Sequence, residues 1–348
     1  MNVISVPTGS LRSVGRCLLV LLLSLSGLSC AEAVPAQSEY VIGTVCTVNL
    51  YEKGTKAAYK EIFDRLREIE ARMSANAEGT EVDAINKSAG VAPVSVHEDV
   101  RAVVKAALRF AELSGGALDP TVGPLVKLWN IGSDDPRVPS PAELKAALPL
   151  VDWKDVAVDD AAGTVFLKRE GMKLDLGAMA KGYAADEVAR IIAKHKIPRA
   201  IVDLGGNVMA VGEKQGGEPW RVGVQDPSSE RGNHIGIVPV KNKTLVTSGI
   251  YERYFEADGK HYHHILGTRD GYPVENGLIS VTIVADKSID ADCLSTAAFA
   301  LGLEAGRKLV ESLSGVEAIF IDSDFRVFLT PGLAGTFRIT DDRFALQK

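Results

Sequence analysis

The stretch RAIVDLGG (Arg199–Gly206), with WRVGVQDP (Trp220–Pro227), IGIVPV (Ile235–Val240) and TLVTSG (Thr244–Gly249) after it, decides the fold class. Each is a short run rich in Val, Ile or Leu, bounded by the Gly, Pro, Asp and Asn residues that punctuate strands. No helical apolar periodicity separates them, so successive strands pair with one another, mostly antiparallel. Upstream, KDVAVDD (Lys154–Asp160), TVFLKRE (Thr164–Glu170) and MKLDLG (Met172–Gly177) read as a meander. Downstream, LISVTIVA (Leu278–Ala285) is a strand, and VEAIFID (Val316–Asp322) with FRVFLT (Phe325–Thr330) is a closing hairpin. At the other end, YVIGTVCTVNL (Tyr40–Leu50) reads as a first strand.

Helices fill the intervals. Tyr59, Ile62, Phe63, Leu66, Ile69 and Met73 recur at three- and four-residue spacing, the buried stripe of one helix, and a loop from Ser74 to Gly90 follows it. Val100, Val103, Val104, Ala107 and Ala111 mark a second helix that Gly115 and Gly116 stop. ALDPTVGPLVKLW (Ala117–Trp129) supplies a turn and a short apolar stretch. Ser140, Pro141 and Glu143 start a short helix to about Leu148 with a capping box. Another helix opens near Gly177 with Ala184, Val188, Ile191 and Ile192 inward, and two more run from about Asp290 to Leu301 and from Glu304 to Leu313. The expected class is α+β, a mixed, largely antiparallel sheet with packed helices.

With 348 residues, 46% hydrophobic and 24% charged, the chain is long enough for one large core. A single domain over residues 38–348 is expected, with two lobes as the alternative. A net charge of -6 gives no basic excess to neutralise phosphates, so no nucleic-acid partner is expected. Arg12 and Arg16, the apolar run Cys17–Leu28 and the small residues after it read as an export signal over residues 1–30. Gly27-Leu28-Ser29-Cys30 fits a bacterial lipobox, so lipidation at Cys30 and a periplasmic tether to the outer side of the cytoplasmic membrane are expected; Ala31-Glu32-Ala33 offers ordinary cleavage as the alternative. The remaining pair, Cys46 and Cys293, makes neither a disulfide framework nor a C-x-x-C metal site.

Two places could carry chemistry. Where a strand ends at Asp175 and a helix begins, free backbone N–H groups and the positive helix end form an anion site, and Lys181 adds a cation. Read alone, Asp175 is equally a cap and Lys181 a solvated charge. Asp292 and Thr296, four apart on one helix face, offer hard oxygens that suit Mg2+, although the same pattern caps helices. In HYHHILG, alternation puts His261 and His263 on one strand face and His264 on the other, with no third zinc ligand nearby. Gly205, Gly206 and Gly212 miss the G-x-G-x-x-G spacing and read as a tight turn. Ser248 lacks a G-x-S-x-G elbow and is not read as a nucleophile.

Taken in order, Gly43-Thr44, Met73-Ser74, DPTVGPLVKLWN, DLGAMAKGYAAD, DLGGN, PWRVGVQDP, TSGIYERY, the histidine strand and ADCLSTA resemble the FAD:protein FMN transferase family, often called the ApbE family. The resemblance runs from about Gly43 to the closing hairpin. It implies an enzyme that takes FAD as substrate, uses Mg2+, and transfers FMN to a threonine of a client protein, a membrane or periplasmic redox subunit, releasing AMP. FAD hydrolysis to FMN and AMP, or FAD capture without turnover by a lipid-anchored protein, are the alternatives. The resemblance also implies metal ligands at the Ala178 carbonyl, Asp292 and Thr296. Flavin contacts would fall on Ile42, Asn76, Ala117, Leu118, Asp119, Asp175, Lys181 and Leu266, with His264 as the base. Asn76 stands where the family often has an aromatic residue, and His264-Ile265-Leu266-Gly267 replaces a common H-x-I-D.

Overall fold

In the computed structural model, which describes residues 34–230 and 232–347, the chain enters as a hairpin of β1 (Gln37–Val41) and β2 (Thr44–Leu50). The export signal, Cys17 and Cys30 lie outside the described residues. The single strand expected from Tyr40 is broken at Ile42 and Gly43, whose φ values of 50° and 71° are those of a two-residue primed turn. A β-branched residue rarely adopts positive φ, so the sequence conceals this turn.

Helix α1 (Lys56–Met73) is capped by Thr55 and buries all six residues of the expected stripe. The Ser74–Gly90 loop contains α2 (Glu81–Lys87), too short to show a periodic stripe and signalled by its Thr80 cap. After β3 (Val94–Ser95) come α3 (Glu98–Leu113) and α4 (Gly123–Trp129), the latter read only as an apolar stretch although Pro124 sits in its first turn. Helix α5 (Pro141–Ala147) has the expected capping box. Strand β5 (Thr164–Leu167) pairs with both β3 and β4 (Val156–Asp159), but MKLDLG does not continue this sheet. There the Asn86 amide replaces a strand partner, accepting from the Leu174 N–H at 2.6 Å and donating to its carbonyl at 3.0 Å. That contact spans 88 residues, beyond any local reading.

Helix α6 (Ala180–Lys194) leads into β6 (Ala200–Leu204) and β7 (Asn207–Val211), with Gly205 and Gly206 as their turn. A Cβ on Gly205 would lie 2.2 Å from the Thr44 hydroxyl, so this turn must be glycine to seat against β2. Next are β8 (Trp220–Gln225), β9 (His234–Val240), β10 (Lys243–Gly249), β11 (Tyr254–Ala257), β12 (Lys260–His263) and β13 (Leu278–Ala285). Helices α7 (Ser288–Leu301) and α8 (Leu303–Glu311) precede β14 (Glu317–Asp322), β15 (Arg326–Leu329), β16 (Arg338–Ile339) and β17 (Ala345–Leu346).

Among the described residues the main sheet has nine strands in the order β1-β2-β6-β7-β10-β13-β14-β15-β17, antiparallel except for β15 with β17. It is covered on both faces. Val246, Ile283 and Phe320 face a helical core with Phe63, Val188 and Leu294. Their neighbours Leu245, Val284 and Ile319 face the small sheet β16-β9-β8 through Trp220, Val224 and Ile235. Double burial explains the near-continuous apolar runs of β13 and β14.

Candidate functional site

Two helix starts meet beneath the sheet, each capped by a carboxylate from the other. Asp292, one turn into α7, accepts the Gly182 N–H of α6 at 2.8 Å. Asp186, one turn into α6, accepts the Ser288 and Ile289 N–H groups at the start of α7 at 2.8 and 3.0 Å. Each carboxylate satisfies amides that have no partner within their own helix. Burial raises the Asp186 carboxyl above its usual range. The crossing is close because residue 182 is glycine: a Cβ there would lie 2.4 Å from the Ser288 carbonyl and 2.7 Å from Ile289 Cα.

This crossing brings Lys181 beside Asp292, with Thr296 one turn further along α7. Lys181 Nζ lies 3.6 Å from Asp292 Oδ1 and donates to the Gly177 carbonyl at 3.3 Å. Asp175 is engaged locally, accepting the Gly177 N–H at 2.8 Å in the turn before α6. Thr296 is half-buried on α7, and its hydroxyl sits 3.1 Å from Ser248 Oγ on β10. Asp292 itself is only 4% exposed, yet a carboxylate has about four lone-pair positions, so its two contacts leave room for a cation.

The histidines separate by role. His263 uses both ring nitrogens, donating Nε2–H to the Val274 carbonyl at 3.0 Å and accepting the Ile265 N–H at Nδ1 at 3.2 Å. It is a buried structural group whose pKa burial depresses. His264 follows β12 and places Nδ1 3.2 Å from the Arg253 carbonyl. A carbonyl only accepts, so Nδ1 carries the proton and Nε2 keeps a lone pair. Burial first, then the charges of Arg253, His263 and Lys181, hold His264 down to about 3. It is therefore neutral over the physiological range and within electrostatic reach of Lys181.

The other expected contacts are dispersed along the chain. Ile42 is at the tip of the first hairpin in a strained left-handed conformation, half-buried against the helical core. Asn76 is exposed in the loop after α1. The Ala117–Leu118–Asp119 turn is fixed from within: Asp119 accepts the Thr121 N–H and hydroxyl at 2.8 and 2.6 Å and the Trp153 N–H at 3.0 Å. Burial raises its carboxyl, and its oxygens serve the turn. The Gly116 carbonyl accepts the Thr268 hydroxyl at 2.7 Å, tying this turn to the loop that carries Leu266. Leu266 is buried with Leu125, Trp129, Leu144 and Ala147.

Sequence reasoning missed Gly182, Asp186, Ser248 and Ser295 as parts of this arrangement. Neither serine gave a signal, because the contacts that join Ser248 to Ser295 and to Thr296 span 47 and 48 residues. Asp186 gave one, since Lys-Gly-Tyr-Ala-Ala-Asp places it five residues beyond Lys181 on the same helix.

Known proteins share this arrangement of elements. The profile of the ApbE family matches residues 42–320. An FAD:protein FMN transferase of Treponema pallidum (strain Nichols) is 42% identical over 330 residues, covering 90% of this chain and 91% of that one. One from Klebsiella pneumoniae (strain 342) is 36% identical over 297 residues, covering 85% and 92%. The crystal structure of the ApbE protein of Thermotoga maritima superposes with a TM-score of 0.80 at 34% identity, covering 87% of this chain and 99% of that one. The flavin transferase ApbE from Vibrio cholerae gives 0.77 at 27% identity, covering 86% and 98%. With a matched profile over most of its length and relatives this similar from end to end, the chain belongs to the ApbE family.

Proposed function

We propose that this chain is an FAD:protein FMN transferase that uses Mg2+ and a threonine acceptor on its client. The observation that carries the chemistry is the meeting of Asp292, Thr296 and Lys181 at the crossing of α6 and α7. The donor set fits a hard cation: one carboxylate, one hydroxyl, and the Ala178 carbonyl, whose i+4 amide on Gly182 donates to Asp292 instead. Bound there, Mg2+ would supply Lewis-acid neutralisation of the FAD pyrophosphate.

Lys181 and the α6 amides stabilise charge on the phosphoryl oxygens. The client hydroxyl attacks the FMN-side phosphorus; a new P–O bond forms as the pyrophosphate P–O bond breaks, and AMP leaves with its phosphate. The hydroxyl proton would go to Nε2 of His264, whose lone pair the Nδ1–H tautomer keeps available and whose basicity rises when anionic phosphates offset the Arg253 and Lys181 charges that lower it. Incubating the protein with FAD and Mg2+, with and without a client, tests the reading. Client-bound FMN with stoichiometric AMP is expected. Free FMN alone would make the chain a pyrophosphatase, and unchanged FAD a binding protein.

We further propose a periplasmic enzyme tethered through lipid at Cys30, which places it beside a membrane or periplasmic redox client. Mass spectrometry of the mature N-terminus decides, and an unmodified start at Val34 would overturn the anchor.

A further inference from the structure

We propose that Ser248 and Ser295 are positioning residues that fix the direction of the Thr296 hydroxyl, so that it offers the cation only lone pairs. The inference rests on the reading of Asp292 and Thr296 as metal ligands. Its basis is a count of protons along three contacts. Ser295 Oγ lies 2.9 Å from the Asp292 carbonyl, which can only accept, so Ser295 spends its one hydrogen there. Ser295 Oγ also lies 2.8 Å from Ser248 Oγ, and that bond must therefore take the hydrogen of Ser248. The 3.1 Å contact between Ser248 Oγ and Thr296 Oγ1 then has only one possible donor, Thr296.

Thr296 thus turns its proton inward to the sheet. Its lone pairs point away from Ser248. A hydroxyl free to rotate would present its positive hydrogen to a cation in part of its orientations, weakening coordination. Ser295 is 0% exposed, so no solvent reaches the end of the relay to reverse it. The Asp292 carbonyl that anchors the relay belongs to the same residue whose carboxylate faces Lys181 and Gly182. Both side-chain donors are therefore set by one turn of α7 against β10.

The test measures Mn2+ binding to the purified protein by electron paramagnetic resonance, without FAD, so turnover plays no part. Ser248→Ala removes the acceptor for the Thr296 hydrogen. Ser295→Ala frees the Ser248 hydrogen to point at Thr296 and turn the Thr296 hydrogen outward. Each is expected to weaken Mn2+ binding about 10- to 100-fold, the usual range for a residue that orients a metal ligand. The double variant should be no weaker than Ser248→Ala alone, because both act through one hydroxyl. Ser295→Thr, which restores the hydroxyl, should recover binding. Wild-type affinity in Ser295→Ala, or losses that add in the double variant, would overturn the relay. Equal Mn2+ binding by wild type and Asp292→Asn, or no wild-type binding at millimolar Mn2+, would overturn the metal reading itself.

Discussion

Asp292 caps α6 and, in the proposed function, holds the metal, and two substitutions separate these roles. Asn keeps an oxygen to accept the Gly182 N–H but loses the charge, whereas Ala loses both. Both variants are expected to lose Mg2+-dependent turnover, and only Ala should also lose about 0.5–2 kcal/mol of stability, the usual cost of a missing helix cap. Denaturant midpoints measured beside AMP release check this; full activity of either variant in millimolar Mg2+ removes Asp292 from the metal site. Asn76 concerns water instead. Exposed after α1, its amide can hold a water by hydrogen bonds, where an aromatic ring would contribute about 0.5–1.5 kcal/mol of stacking and shield the pocket. Without a client, wild type is expected to release AMP from FAD faster than Asn76→Tyr. Equal rates would refute the assignment of Asn76 to the flavin pocket.

Between elements, the α6–α7 crossing is what assembles the site, and it depends on Gly182 having no side chain. Gly182→Ala would set a methyl against the backbone of Ser288 and Ile289, where nothing flexible can yield. A loss of about 1–3 kcal/mol is expected from overpacking, together with a higher Mg2+ requirement as Lys181 and Asp292 move apart. Wild-type stability and Mg2+ dependence in that variant would show that the helices can separate without consequence. The far side of α6 is held by a buried charge cluster. Arg65 lies 2.8 Å from Asp99 and 2.9 Å from Glu187, and Tyr183 donates to Asp99 at 2.6 Å. Burial alone would raise the Asp99 carboxyl, but hydrogen bonds from Arg65 and Tyr183 hold it down to about 2. Asp99→Ala would leave Arg65 and Arg72 without their shared carboxylate and is expected to cost about 3–5 kcal/mol, read from the denaturant midpoint.

For the molecule as a whole, acid stability follows from groups buried neutral and groups held ionised. His263 and His264 are both depressed below the ordinary histidine value of 6.5, so the unfolded chain binds protons that the folded chain refuses. Both contributions are full above about pH 6.5 and are lost on acidification, that of His264 as pH falls toward 3; that of Asp99 is lost between about 4 and 2. The melting temperature is expected to fall on acidification from pH 7 to 5, and His264→Asn to flatten that slope, which thermal unfolding at several pH values measures. The sequence by itself determined the α+β class, the stripes of α1, α3 and α6 and the α5 capping box, and it singled out Lys181, Asp292 and Thr296 as candidates. Each is written in spacing within about a helical turn, or in the resemblance that ordered motifs carry. Only the tertiary structure decided that MKLDLG pairs with the Asn86 side chain, that α6 and α7 cap each other, and that Ser248 faces Thr296. Those contacts join residues 88, 110, 102 and 48 positions apart, and no local pattern encodes a hydrogen bond whose partner is chosen by how the helices cross and the sheet closes.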